Sequence, residues 1–159
     1  MKRISFVIVC FCLVIFLSLS AVAQSSPSSA MISEEIQRAV PVSFGYIDNT
    51  QYDFQNYFSQ FSFLEDGCIV VCADATNFNE FGVFRVKEYV DVRKFEKILT
   101  SYLSKRKNEF CSGVVYDMKQ YPKFENARVI SIENFVMYMI LNDSDCDLAV
   151  SAVRRVFDH

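Results

Sequence analysis

The sequence predicts an α+β fold: a two-layer sandwich of about four mostly antiparallel strands, built from two strand–strand–helix units, with both long helices on one face and short helices leading in. Two observations predict it. A pair of β-rich apolar runs, Cys68 to Ala73 and Phe81 to Lys87, flanks a polar turn and is followed by a long segment with apolar residues at helical spacing. The same order then returns after a loop, ending in a second helical segment.

Residues 1–23 read as a secretory signal. Lys2-Arg3 supplies the positive start, Ile4 to Ala23 carries no charge, and Ala21-Val22-Ala23 ends the run with the small-x-small pattern that signal peptidase cuts after. Cleavage there leaves Gln24 at the mature N-terminus. A run of roughly 20 apolar residues can also span a bilayer, so membrane contact is expected only if the segment stays uncleaved. Cys10 and Cys12 lie too early, behind bulky Val9 and Phe11, to accept lipid. Residues 24–31 form a flexible Ser-rich linker, and 32–159 a single globular domain.

Ser33 is the expected cap of a short helix edged by Ile32, Ile36 and Val40 and stopped by Pro41. Phe54, Tyr57, Phe58 and Phe61 fall at i, i+3, i+4 and i+7, predicting a second short helix from Asp53 to Gln60. The first long helix is expected from Asp91 to Glu109, buried through Val92, Phe95, Ile98, Leu99, Tyr102 and Leu103. Arg128 to Ile132 and Phe135 to Leu141 read as strands around the tight turn Glu133-Asn134. Asn142-Asp143-Ser144 caps a last helix to Phe157, with Leu148, Ala149, Ala152, Val153 and Val156 inward. On the last strand Val136, Tyr138 and Ile140 point one way, and Phe135, Met137, Met139 and Leu141 the other. Both faces are therefore apolar. The leading helices are expected to cover the face the long helices leave open, since an uncovered one would be a binding surface.

The whole chain carries −3 at pH 7, and the leader holds two cations and no anions, leaving −5 after processing. A weakly acidic domain is not built to neutralise phosphates, which argues against a nucleic-acid partner. The basic run Lys105-Arg106-Lys107 suits the negative end of a helix dipole. A hydrophobic content of 52% points to a packed domain rather than a disordered chain.

The stretch Asn79-Glu80-Phe81-Gly82-Val83-Phe84-Arg85-Val86-Lys87 precedes the basic helix from Phe95 to Phe110. Tyr116, Tyr121-Pro122, Asn126-Ala127-Arg128-Val129 and Tyr138 follow in order. In this order and spacing the chain, from Ser33 to Phe157, resembles a family of small exported bacterial proteins known as a domain of unknown function. The resemblance implies the α+β fold and an address outside the cytoplasmic membrane, and it brings no catalytic residues. Many members are lipoproteins. This chain lacks a lipid-accepting cysteine, so membrane anchoring does not carry over.

A hydrolase needs a nucleophile, a base and a group that orients the base. The single histidine is His159, the last residue, which removes Ser-His-Asp, Cys-His and His-rich zinc sites together. Glu80, Glu88, Glu125 and Glu133 fall at strand ends and turns in no recognisable pairing. Asp143, Asp145 and Asp147 alternate as in a calcium loop, but Leu148 and Arg154 stand where that loop needs Gly and Glu. No metal and no cofactor is expected. Among the cysteines past the leader, Cys68 and Cys72 on one strand are about 13 Å apart, beyond the reach of about 7 Å for a disulfide. Cys111 and Cys146 are the possible disulfide.

The aromatic segment from Tyr46 to Phe63 holds more rings than one short helix can bury. Some are expected beside Tyr138 on the open sheet face. Tyr46 and Tyr52 are expected to line a shallow groove with Tyr116 and Tyr121, where tyrosine gives rigid contact area yet tolerates water. These features predict an exported, non-enzymatic binding domain for an extracytoplasmic protein, peptide or envelope component. The rivals are a carboxylate-dependent cell-wall enzyme, which needs a pocket with two convergent acids, and a self-associating structural envelope protein.

Overall fold

The computed structural model describes residues 26–45, 58, 61–74, 76–112 and 117–158. Helix α1 is Ser29–Ala39, followed by the two-residue strand β1 (Phe44–Gly45), β2 (Leu64–Cys72) and β3 (Glu80–Val86). A 3₁₀ turn at Tyr89–Asp91 leads into α2 (Val92–Ser112). The short α3 (Tyr121–Glu125), β4 (Arg128–Ile132), β5 (Phe135–Ile140) and α4 (Asp143–Phe157) complete the order. The fold is α+β, with one antiparallel sheet in the spatial order β1-β2-β3-β5-β4. The leader and the helix expected from Asp53 to Gln60 lie outside the described residues, apart from Phe58.

Helix α1 starts earlier than its sequence suggests. Ser28, not Ser33, is the cap, and its Oγ accepts from the Met31 amide at 3.2 Å. Ser29 is already helical and buried, and its hydroxyl donates to Asp66 on β2. Residues 29–31, expected within the linker, are helical, because this contact with the sheet holds the first turn in place. Ser33, turned inward at 4% exposure, serves the packing of α1 rather than its start.

The central strands β3 and β5 are buried on both faces, as their near-continuous apolar runs require. Phe84, Val86, Val136, Tyr138 and Ile140 meet Phe95, Leu99 and Tyr102 of α2 on one face, joined by Phe58 and by Phe124 of α3. Phe81, Val83, Phe135, Met137 and Met139 meet Ile32 and Ile36 of α1 and Cys146, Ala149 and Val153 of α4 on the other. The two long helices thus lie on opposite faces, in three layers rather than the expected two. A helix is about 10 Å across, whereas strands spaced about 4.8 Å apart make a wider surface, so α1 alone would leave apolar rows open. Helix α4 lies beside α1 and closes that face. Leu148, expected inward, is 44% exposed on the outer side of α4.

Gly82 sits directly across from Tyr138 in the β3–β5 register. A β-carbon there would run into the Tyr138 ring and come within 2.7 Å of Phe84. The missing side chain is what lets the Tyr138 ring lie across β3.

Candidate functional site: a cleft beside the edge strand

A cleft of about 580 Å³ opens between the first turns of α2 and the edge strand β4, lined by Tyr89, Val92, Arg93, Glu96 and Ser131. The period of α2 explains its walls. Val92, Phe95 and Leu99 are buried against the sheet, so Arg93 and Glu96, each one residue round from that stripe, fall at the helix border. Strand alternation sends the Ser131 side chain toward the same helix, and its hydroxyl donates to Glu96 Oε1. Tyr89 stands at the mouth, 74% exposed. Arg93 has no ion-pair partner among the described residues, while its neighbour Lys94 reaches Asp91 and sits 4.4 Å over the Phe63 ring. The cleft can therefore offer one aromatic surface, one unpaired cation and a hydroxyl already held by a carboxylate.

At the other end of α2 lies a buried polar cluster. Glu80, 4% exposed, accepts through Oε1 from the hydroxyls of Tyr102 (2.8 Å) and Tyr138 (2.5 Å). Its Oε2 accepts from Arg106 at 2.7 Å. Burial, reinforced by the Glu80 charge, pushes both tyrosine hydroxyls above their ordinary range. Burial alone would lower the Arg106 guanidinium, but Glu80 and the two tyrosines beside it leave it raised. Charge-assisted bonds fill this carboxylate from the helix and the sheet together, so it holds the layers in register.

A third polar group sits beside the start of β3. Lys123 of α3, 5% exposed, donates to Asn77 Oδ1 at 2.6 Å, and burial lowers its ammonium from the usual value. Asn79 keeps its amide oxygen buried without a partner among the described residues. One ordered water would satisfy such an oxygen.

Of the tyrosines expected in a groove, Tyr46, Tyr52 and Tyr116 lie outside the described residues. Tyr121 is half-buried against the α2-side core, with Lys107 4.9 Å over its ring. It is at the C-terminal end of α2, away from the cleft. The rings of Phe58, Phe61 and Phe63 pack on Phe95 of α2, so they share a face with a long helix instead of covering one it leaves open.

The possible disulfide between Cys111 and Cys146 does not form: both are free, Cys111 exposed at the end of α2 and Cys146 fully buried. Cys146 packs in the α1–α4 layer while α2 lies on the opposite face, so the sheet separates the helices that carry them. Asp143 and Asp147 both pair with Arg128 of β4, and Asp145 accepts from the Asn142 side chain at 3.3 Å. Asp143 and Asp147 thus tie α4 to β4, and Asp143 and Asp145 in its first turn favour the positive end of its dipole.

The cleft residues Tyr89, Arg93, Glu96 and Ser131 carry no motif. Periodicity could have put Arg93 and Glu96 at a helix border and Ser131 on the helix-facing side of its strand. Only the strand order brings the two together. No family model, curated protein or solved structure matches this chain.

Proposed function

We propose that this chain is an exported, non-enzymatic binding domain that works outside the cytoplasmic membrane and takes a protein or peptide ligand at the cleft beside β4. The resemblance to exported bacterial proteins of unknown function belongs to the same reading. The observation that carries it is the cleft lining, which combines an exposed ring, a cation without an ion-pair partner among the described residues and a single carboxylate, Glu96. Acid–base hydrolysis of glycan or peptide calls for two convergent carboxylates. Glu96 already accepts from Ser131, and Glu80 is enclosed by Tyr102, Tyr138 and Arg106.

Two measurements test the reading. Mass spectrometry of protein from the medium or envelope of the producing cell is expected to find Gln24 at the N-terminus; an intact chain from Met1 held in the membrane would overturn the export half. A photo-crosslinker at Tyr89 is expected to trap an envelope component, and one at Leu148 on the opposite face is not. Equal trapping at both positions, or cell-wall cleavage abolished by Glu96→Gln, would overturn the binding half.

A further inference from the structure

The geometry points to β-strand addition: an extended acidic segment of a partner polypeptide pairs with the outer edge of β4 and seats its helix-facing side chains in the cleft. This rests on the binding role proposed for the cleft, and it names the occupant and how it is held.

The first support is the edge itself. β4 ends the sheet in the observed strand order, and its pairing with β5 runs from Ile132↔Phe135 to Arg128↔Met139 without a register shift. The turn between them has two residues, Glu133 and Asn134, with Glu133 at φ 53°. In a hairpin of this kind the residues flanking the turn are a hydrogen-bonded pair, and bonded and non-bonded pairs then alternate. Ile132, Ile130 and Arg128 therefore spend their backbone groups on β5. Val129 and Ser131 turn their N–H and C=O outward.

The second support is that this edge lacks the usual protection. Edge strands are blunted by lysine, proline, a bulge or extreme shortness. The opposite edge, β1, has two residues. From Val129 to Ile132 β4 has no charge, no proline and no bulge. The one cation of the strand, Arg128, is drawn onto Asp143 and Asp147 of α4.

The third support is charge. An added strand would direct alternate side chains to the helix side of the sheet, where Val92, Tyr89 and Arg93 wait. An apolar residue fits the first two, and an acidic one fits Arg93, which forms no ion pair with a described carboxylate and shares the cleft with Glu96, itself bonded to Ser131. A second copy of the chain pairing edge to edge through β4 would bring Val129 and Ser131 of its own, with no acid among the strand residues to meet Arg93.

The test uses the processed chain and a blocked peptide of about six residues, near the usual strand length, with valine and glutamate at successive helix-facing positions and threonine between them. Its controls are the valine–lysine counterpart and a version N-methylated on alternate amides. The valine–glutamate peptide is expected to shift the amide resonances of Val129 and Ser131. It should bind more tightly than the lysine peptide by about tenfold or more, a gap of about 1.4 kcal/mol. N-methylation in the bonding register should abolish binding. Arg93→Glu, on an exposed site, should reverse the charge preference while leaving the thermal midpoint in place. Equal binding of both peptides, shifts elsewhere than β4, or concentration-dependent dimerisation that consumes the same edge would overturn the inference. Crosslinking at Tyr89 without peptide binding would sink only the strand-addition inference; absence of both would sink the cleft reading as well.

Discussion

The hydroxyl of Tyr138, at the centre of β5, donates to Glu80 at the start of β3 across 2.5 Å with both residues buried. Tyr102 of α2 donates to the same oxygen, so one carboxylate joins two strands and the helix above them. The Glu80 carboxylate is satisfied from three sides, and deletion of one donor leaves a buried charge less solvated. Tyr138→Phe is expected to lower the unfolding free energy by about 1.5–3 kcal/mol, the range for hydrogen bonds to charged groups. Urea denaturation measures it, and a change below about 0.5 kcal/mol, typical of surface sites, would mean that the bond contributes nothing.

Gly82 gives a test of packing rather than polarity. Its missing β-carbon is the space the Tyr138 ring occupies. Gly82→Ala should force that ring or Phe84 to move, costing about 1–3 kcal/mol by overpacking. If the variant is as stable as the parent, the ring does not lie where the structure puts it.

Two leucines on the long helices should behave oppositely. Leu99 is fully buried between α2 and the sheet, and Leu148 is 44% exposed. Leu99→Ala is expected to cost about 2–5 kcal/mol, whereas Leu148→Ala should stay within about 0.5 kcal/mol. Comparable losses at both sites would contradict the face assigned to α4.

Thiol chemistry separates the cysteines. Burial pushes the thiols of Cys68 and Cys146 up to about 11, each from an ordinary value of 9.0. Cys111 is exposed. Alkylation of the native chain from Gln24 onward at neutral pH is expected to show one fast-reacting thiol, lost in Cys111→Ser. The sign of the pH effect follows. The native state holds these two protons more tightly than the unfolded chain, so their contribution to stability is complete below pH 9 and falls away between 9.0 and about 11. No fast thiol in the native protein, with one restored by reductant, would instead indicate a disulfide at Cys111.

Much of the secondary structure could be read from residue order alone. The β4–β5 hairpin follows from two apolar runs around Glu133-Asn134, and the inward side of α2 follows from the spacing of Phe95, Leu99 and Tyr102, because strand and helix periods are local properties of the chain. The two apolar faces of β5 were equally plain, and with them the need for cover on both sides. Which helix covers which face was not. That depends on β5 inserting between β3 and β4, a pairing between residues far apart in sequence that no local pattern encodes. The same insertion makes β4 an edge, lays its outward backbone beside Arg93 and Glu96, and keeps Cys111 from Cys146. The Glu80 cluster has the same origin: a glutamate at a strand end reads as surface charge until Tyr102, Arg106 and Tyr138 are brought round it. The elements and their apolar sides rest on repeats of two and 3.6 residues along one chain, and so are legible in residue order. The layers, the buried carboxylate and the cleft exist only where elements distant in the chain meet, and so no local pattern encodes them.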